Sequence, residues 1–375
     1  MRVVAGIAGI ILLFLVLQDG FETIILPRRI ARRFRFARFF YRATWWLWSV
    51  IARKIHSDRR REFYLSYYGP LSLLLLLIIW AAALVVAFAL FQFALGSSLT
   101  SPDKVVSFAT DLYLSGTTFF TLGYGDVVPR EGLARLCAVV EAGLGFGFLA
   151  VIISYVPVIY QSFSHREAEI TLLDARAGSP PSASEFLRRH MLAEQTDDLV
   201  QYLRNWERWC AELLESHLSY PVLIFYRSQH DRQSWLEALT TILDVCSLVM
   251  IGLDGIPEQA GRFTFAIARH AAVDLSQLFN TPPTETRENR LPSEEFSRLQ
   301  DMLAAAGITI RDPVNAEIKL MHLRRMYEPY VHSLSRYLLM PLPKWVTKLE
   351  NVDDWQTSPW DHFSLVSQRP LSRVK

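Results

Sequence analysis

The chain has 375 residues, of which 51% are apolar, and its mean hydropathy of +0.18 is high for a soluble protein of this size. Its net charge is only +2, but 33 of its 39 basic residues are arginine and many lie in one block near the start. The three cysteines are too far apart, and odd in number, for a disulfide framework or a zinc site. Hydrophobic segments flank the arginine block, so the composition favours a membrane protein and argues against nucleic acid as a partner.

Three apolar runs predict membrane-spanning helices. The strongest, 71–95, has 25 residues and lies in a charge-free interval between Glu62 and Asp103. About 20 residues are needed to cross a hydrocarbon core roughly 30 Å thick. The second run, 136–163, contains one charged residue, Glu141. The third, 3–18, is only just long enough to span the membrane.

The first run resembles either a signal peptide or an uncleaved anchor. No small-x-small cleavage site follows it, and residues 20–69 contain twelve Lys and Arg against three Asp and Glu. Such a basic segment stays on the cytoplasmic side, so we expect an anchor with its N-terminus outside. The expected organisation is a transmembrane anchor at 1–19, a basic cytoplasmic or interfacial segment at 20–69, a pore domain at 70–163 and a helical cytoplasmic domain at 164–375.

The basic block combines arginine with Phe, Tyr and Trp, a composition typical of a helix that binds anionic headgroups. We interpret 30–54 as a helix lying on the inner leaflet, with membrane lipid as its partner. An arginine also recurs at every third position at 29, 32, 35 and 38, as in voltage-sensing helices. A sensor must cross the membrane among helices that carry counter-charges, and only one span precedes this block. The surface helix is therefore the favoured interpretation.

The interval between the two stronger spans, 105–129, is too short and too polar to be another span. It contains a helix-like stretch followed by Thr121-Leu122-Gly123-Tyr124-Gly125-Asp126. Irregular backbone at membrane depth is tolerated only where it lines a cavity or is covered by protein. Glycine adopts positive φ at little cost, so Gly123 and Gly125 allow successive carbonyl groups to point in one direction.

This hexapeptide resembles the T-x-G-Y-G-D filter of the potassium channel pore family, and all five fixed positions match. The resemblance covers 70–163 and implies a tetrameric pore with an outer helix, a pore helix, a filter and an inner helix. It implies that the carbonyl oxygens of Thr121, Leu122, Gly123 and Tyr124 bind K⁺ and that the Tyr124 side chain points into the protein. Asp126 closes the filter. One pore loop per chain requires three identical partner subunits.

Three residues are candidates for contacts behind the filter: Tyr113, Thr117 and Glu141. Phe120 stands where the family usually has threonine, and Thr117 stands where some relatives have an acid. An acid within a membrane helix is a functional hypothesis by default. For Glu141 we leave three alternatives open: it points to Thr117, it faces the next subunit, or it is wet near the outer surface.

The inner helix carries the candidate gating residues Gly143, Gly145, Gly147 and Pro157. Gly145 lies twenty residues after Gly125, where the family usually has its hinge glycine. Each glycine weakens a helix by about 1 kcal/mol relative to alanine, so three together indicate either a bend or tight packing. Pro157 removes a backbone hydrogen bond and predicts a kink. We expect a pivot near Gly145 and a constriction at 156–160.

The remaining residues have a soluble composition and a mostly helical pattern, with helices expected at 235–251, 258–279, 293–306 and 314–339 and a loop at 281–292. The cytoplasmic domain contains no motif that predicts an enzyme, a nucleotide site or a metal site. Its ligand or protein partner stays open.

The sequence thus predicts an all-α membrane protein in the plasma or inner membrane with its C-terminus in the cytoplasm. It predicts a potassium-selective channel, not an enzyme, with K⁺ as the permeant ion, no cofactor, and opening modulated by the cytoplasmic domain. The alternatives are a weakly selective cation channel, a signalling protein that keeps a vestigial pore, and an enzyme fused to a pore.

Overall fold

The structure, a computed structural model, describes residues 1–26, 35–101, 106–191, 196–230, 233–284 and 289–346. These residues are mostly helical with almost no strand, in agreement with the expected all-α membrane protein. The elements are α1 (Arg2–Gly20) with a π-helical turn (Phe21–Ile25), α2 (Phe36–Ala52), α3 (Asp58–Ser66), α4 (Tyr68–Ala94), β1 (Leu99–Thr100), α5 (Phe108–Phe119), β2 (Val128–Pro129), α6 (Gly132–Ala177), α7 (Ala183–Met191), α8 (Thr196–Ser219), a 3₁₀ helix (Pro221–Phe225), α9 (Trp235–Met250), α10 (Gln259–Leu278), α11 (Ser293–Ala305), α12 (Pro313–Arg325) and α13 (Glu328–Leu338).

The chain forms two compact units. The first comprises Met1–His165 together with Glu215–Arg227, and the second comprises Arg166–Leu214 together with Ser228–Lys375. The first unit thus includes a segment, 215–227, that the sequence boundaries assign to the cytoplasmic domain. The strands β1 and β2 form an antiparallel pair in which Leu99 lies opposite Pro129.

Among the described residues, three helical stretches are long and apolar enough to cross a membrane: Arg2–Ile25, Asp58–Ala94 and Gly132–Ala177. They match the three predicted spans to within one residue at Leu95. The last is longer than the apolar run 136–163 because the helix continues into the polar residues that follow. It runs as one helix through Gly143, Gly145, Gly147 and Pro157.

Glycines bring α1 close to α4. A Cβ at Gly6 would lie 3.3 Å from the Cβ of Ala94, and one at Gly9 would lie 2.9 Å from the ring of Phe91. As the chain advances along α1 its contacts move backwards along α4, so the two helices are antiparallel. Small residues permit this approach, and close packing replaces the hydrophobic effect as the main attraction between helices in lipid.

A buried carboxylate connects the end of α1 to α2 and α4. The Asp19 carboxylate accepts hydrogen bonds from the backbone N–H of Ala37, at 3.1 and 3.2 Å, and from Trp80 Nε1, at 3.0 Å. Ala37 lies in the first turn of α2, where backbone N–H groups have no partner within the helix and favour an anion. The first turn of α2 is thereby held beside the middle of α4.

Aromatic contacts then connect α2 to the two helices that follow it in the chain. The Trp45 ring packs on Tyr68 with centroids 4.8 Å apart, and the Trp48 ring stacks on Tyr64 at 4.5 Å. The α2 helix therefore runs antiparallel to α3 and to the first half of α4. Asp19 and the aromatic rings fix α2 alongside α4, and its place on the inner leaflet stays a prediction.

Part of the arginine pattern falls on described residues. Arg35 pairs with Glu22, with 3.5 Å between Nε and Oε2, and Arg38 is exposed. The arginines at 29 and 32 lie outside the described residues.

The 3₁₀ helix Pro221–Phe225 packs into the apolar core of the first unit. Val222 and Leu223 are buried among side chains from α2, α4 and α6, namely Ala37, Phe40, Leu73, Leu76, Leu77, Trp80, Tyr155, Ile159 and Phe163. A Cβ at Gly69 would lie 2.7 Å from the ring of Tyr226, which follows this turn directly. Arg227 then pairs with Glu62 at 3.3 Å and is almost fully buried. Residues 215–227 therefore belong to the membrane unit by packing and by charge.

The second unit is built around α9, whose residues Trp235–Val249 are all buried. The predicted helix at 314–339 is wrong as a single element, since α12 and α13 are separate. Pro329 stands in the first turn of α13, where it has no N–H to continue the preceding helix. The predicted loop at 281–292 includes four residues, 285–288, outside the described part of the chain.

A buried network of ion pairs and hydrogen bonds in the second unit is centred on Arg290. Arg290 donates hydrogen bonds to Asp244 on α9 and to Glu328 on α13, and Tyr327 also donates to Asp244. Burial disfavours the charged guanidinium, but the Asp244 carboxylate outweighs it and raises the pKa of Arg290. A buried charge is tolerated only when it is paired in this way. This network fixes α9 to α13.

Candidate functional site

The segment 120–127 between α5 and β2 has no regular structure, and its backbone alternates in handedness. Gly123 and Gly125 have φ of +56° and +77°, as their sequence predicts, and Thr121 has φ of +56°. Leu122 and Tyr124 are not among the residues with positive φ. A β-branched residue at positive φ is a rare conformation, and the residue pattern does not predict it at Thr121.

The end of α5 holds the start of this segment. The carbonyl of Thr117 accepts hydrogen bonds from the backbone N–H groups of Leu122, at 2.8 Å, and Gly123, at 3.3 Å. The N–H of Thr121 donates to the carbonyl of Thr118 at 3.0 Å. The C-terminal end of a helix carries partial negative charge, which favours a cation nearby.

The other end of the segment is held by a side chain from the middle of α5. The Tyr113 hydroxyl donates a hydrogen bond to the Asp126 carboxylate at 3.0 Å. The backbone of segment 120–127 is therefore held at both ends by α5. The Thr117 hydroxyl does not reach the segment, because it donates to the carbonyl of Leu114 within α5.

Glu141 on α6 is fully buried within one chain and pairs with the hydroxyl of Ser115 on α5. None of the three sequence alternatives describes this arrangement. The carboxyl pairs with Ser115 rather than Thr117, and a side chain with no exposed surface neither faces another subunit nor is wet. Ser115 was missed because a serine in a helix gives no sign of which neighbour it faces.

The segment itself is exposed in a single chain. Leu122 is 55% exposed and Tyr124 is 69% exposed. Among the described residues, no backbone hydrogen bond ends on the carbonyl oxygens of residues 121–124. The Tyr124 side chain is thus not inserted into its own chain. Exposed irregular backbone of this kind is not stable against lipid.

At Gly145, α6 packs closely against the end of α5. A Cβ at Gly145 would overlap the carbonyl oxygen of Phe119, whereas a Cβ at Gly143 or Gly147 would meet no described residue outside its own helix turn within 4 Å. Of the two interpretations of the glycines, tight packing applies at Gly145. The helix shows no break at Gly143 or Gly147.

No group of three or more His, Cys, Asp or Glu side chains in the described part of the chain could hold a metal ion. In the described part of the chain, the polar groups that this segment presents without a backbone partner are the carbonyl oxygens of residues 121–124.

Comparison with known proteins identifies the segment that contains this site. Residues 73–161 match the model of a family described as ion channel. YdjJ of Bacillus subtilis, described as an uncharacterized membrane protein, is 25% identical over 261 residues, which are 68% of this chain and 73% of YdjJ. This similarity is longer than the matched family segment and therefore extends outside it.

Shorter similarities involve two proteins called LctB. The LctB of Bacillus caldotenax is 43% identical over 54 residues, 14% of this chain and 40% of LctB. The LctB of Geobacillus stearothermophilus is 40% identical over 57 residues, 15% of this chain and 42% of LctB. No solved structure is significantly similar to this chain.

The contact at Gly145 predicts a specific sensitivity to added volume. Gly145→Ala places a Cβ against the Phe119 carbonyl, so α5 or α6 must move, at a cost of about 1–3 kcal/mol. We expect a lower thermal unfolding temperature of the purified protein in detergent and a loss of ion current in lipid bilayers. Gly143→Ala is the matched control, because it adds the same atom to the same helix with no neighbour in the chain. Equal damage from both variants would show that flexibility, not this contact, is what the glycines provide.

Proposed function

We propose that the chain is one subunit of a potassium-selective channel, because residues 73–161 match the model of a family described as ion channel. Ions pass down their electrochemical gradient through a filter formed by residues 121–126, and no covalent reaction occurs. The observation that carries the proposal is the alternating backbone at Thr121, Gly123 and Gly125 in a segment whose carbonyl oxygens lack internal partners.

Alternation in handedness explains how the filter would select K⁺. When residues of opposite handedness follow one another, successive carbonyl groups point to the same side of the chain. Four such chains around an axis give rings of oxygens that replace the hydration shell of the ion. The carbonyls of Thr121, Leu122, Gly123 and Tyr124 form these rings. The end of α5 adds partial negative charge below them.

The exposure of the filter supports a homotetramer. Tyr124 and Leu122 are uncovered in one chain, yet irregular backbone at membrane depth requires either protein or an aqueous cavity around it. Large apolar side chains on α6 are also exposed in one chain, including Val139, Phe146 and Ile153. Identical neighbours would cover the filter on its outer side and leave its carbonyls facing the central axis.

Substitution of Gly123 tests the filter. Gly123→Ala adds a Cβ at φ of +56°, which resists the required backbone, so we expect loss of K⁺ current or of its preference over Na⁺. The measurement is the reversal potential in bilayers with K⁺ on one side and Na⁺ on the other. Gly132→Ala, at the start of α6 with no atom within 4 Å of the new Cβ, is the control.

The same recording separates the alternatives. A wild-type chain that conducts both ions equally is a weakly selective cation channel, and one that never conducts has a vestigial pore. A Gly123→Ala variant with an unchanged K⁺ to Na⁺ ratio would contradict the filter assignment.

The proposed topology has the N-terminus outside, the C-terminus in the cytoplasm and residues 20–69 inside, in the plasma or inner membrane. Its support is the excess of Lys and Arg in 20–69, together with the antiparallel packing of α1 and α4. We expect a membrane-impermeant thiol reagent to label Thr100→Cys from outside and Asp58→Cys only from inside, since both positions are exposed. The unmodified chain is the control for its own cysteines. Labelling of position 58 from outside would contradict this topology.

We also propose that the cytoplasmic domain regulates opening, through residues 215–227. This segment runs from the end of α8 through the 3₁₀ helix to Arg227, and Leu223 belongs to the same buried cluster as Tyr155 and Ile159 of α6. Ile159 lies in the predicted constriction at 156–160. Tyr226 continues this contact, with its ring 5.5 Å from that of Phe163. A domain that moves this segment would change the packing of the inner helix and shift the balance of open and closed states.

Phe225→Ala tests this coupling. The Phe225 ring lies against Trp45, at 4.9 Å, and Tyr68, at 5.0 Å, so its removal loosens the segment without touching the filter. We expect the single-channel open probability to change and the K⁺ to Na⁺ permeability ratio to stay constant. Phe263→Ala in α10 removes an equal volume from a side chain that is 73% exposed, and we expect no effect. Unchanged open probability in Phe225→Ala would remove the segment from gating, and an altered ratio would show that gate and filter are not separable.

A further inference from the structure

The carboxyl of Glu141 is buried between helices, where it has one hydrogen-bond partner among the described residues. It belongs to α6, has no exposed surface in a single chain, and pairs through Oε1 with the Ser115 hydroxyl on α5. Its other oxygen, Oε2, is buried and has no hydrogen-bond partner in the described part of the chain.

The number of hydrogen atoms available for the contacts of Ser115 determines the protonation state of Glu141. The Ser115 Oγ lies 2.7 Å from the backbone carbonyl oxygen of Val85 on α4 and also within hydrogen-bonding distance of Glu141 Oε1. A serine hydroxyl supplies one hydrogen, and neither a carbonyl nor an ionised carboxylate supplies any. Two close oxygen–oxygen contacts therefore need a second hydrogen, because otherwise one pair of oxygens would face each other with lone pairs only. Glu141 is the group that supplies it.

The titratable groups around Glu141 also favour its protonated form. Cys137 lies one turn before Glu141 on α6, Asp111 lies one turn before Ser115 on α5, and α4 contributes the uncharged Val85 carbonyl. Both titratable neighbours are acids, and no ion pair with Glu141 occurs between described residues. An ionised carboxylate buried without a cation is strongly destabilised, while a neutral acid needs only its single hydrogen bond.

We propose that Glu141 is a neutral carboxylic acid at physiological pH and acts as a positioning residue for the filter. Glu141 donates its proton to Ser115, and Ser115 donates to Val85, so one continuous chain of hydrogen bonds joins α6, α5 and α4. Ser115 lies two residues before Thr117, whose carbonyl holds Leu122 and Gly123. The acid thus fixes the last turn of α5 from behind. Only the final step of this argument, in which the position of α5 affects ion selection, rests on the proposed channel function.

Infrared spectroscopy of the purified full-length protein tests the protonation state directly. At pH 7 we expect the carbonyl stretching band of a protonated carboxylic acid in the wild type and its loss in Glu141→Gln. Ser115→Ala removes the acceptor, so the band should shift to higher frequency. Glu131→Gln, at an exposed position just before α6, is the control and should alter carboxylate bands instead. If Glu141→Gln removes only carboxylate bands, or if Ser115→Ala leaves the acid band in place, the proposal is wrong.

Ion currents test the positioning role. Glu141→Ala removes the donor and should lower both the yield of folded oligomer and the K⁺ current. Glu141→Gln keeps a neutral donor of similar shape and should restore both. An ionised Glu141 predicts the opposite, since Gln would then remove a charge and lose current together with Ala. A wild-type protein without any K⁺ current would overturn the proposed function, whereas the infrared result would still decide the state of Glu141.

Discussion

Backbone that is neither helix nor sheet has to be supported inside a membrane, and the rest of the first unit depends on that constraint. Among the described residues, no backbone hydrogen bond ends on the carbonyl oxygens of residues 121–124. Lipid provides no hydrogen bonds in exchange, so the segment exists only where neighbouring structure holds it open. The α5 helix supplies that support at both ends, through Thr117 at the start and through Tyr113 and Asp126 at the finish. The outer and inner helices then hold α5.

Much of the pore could be predicted because its signals are local or set by the bilayer. The spans follow from hydrocarbon thickness, and positive φ at Gly123 and Gly125 follows from the absence of a side chain. The pairing of Glu141 with Ser115 could not be predicted, because it depends on how two helices rotate against each other. The break between α12 and α13 was missed although Pro329 marks it, since the apolar period continues across the proline.

The arginine-rich region shows the same division. The sequence predicts a helix there, which the structure describes at Phe36–Ala52, but its composition contains no information about the direction of that helix. Contact of this helix with anionic lipid stays a prediction. One carboxylate, Asp19, holds the first turn of α2 beside Trp80, and stacked aromatic rings then keep α2 along α3 and α4. Long-range contacts of this kind involve residues tens of positions apart, and local periodicity does not report them. The contacts of Asp19 and of the aromatic rings thus determine the direction of α2, which its hydrophobicity alone would leave open.

The membership of 215–227 in the first unit has a consequence for how this protein is divided in the laboratory. A fragment that begins after the inner helix would carry Val222, Leu223 and Phe225 without the helices that bury them. A fragment that ends with the inner helix would leave an empty groove between α4 and α6. Both fragments would then expose an apolar surface that promotes aggregation. The two units are interleaved in sequence, so a single cut does not separate them cleanly.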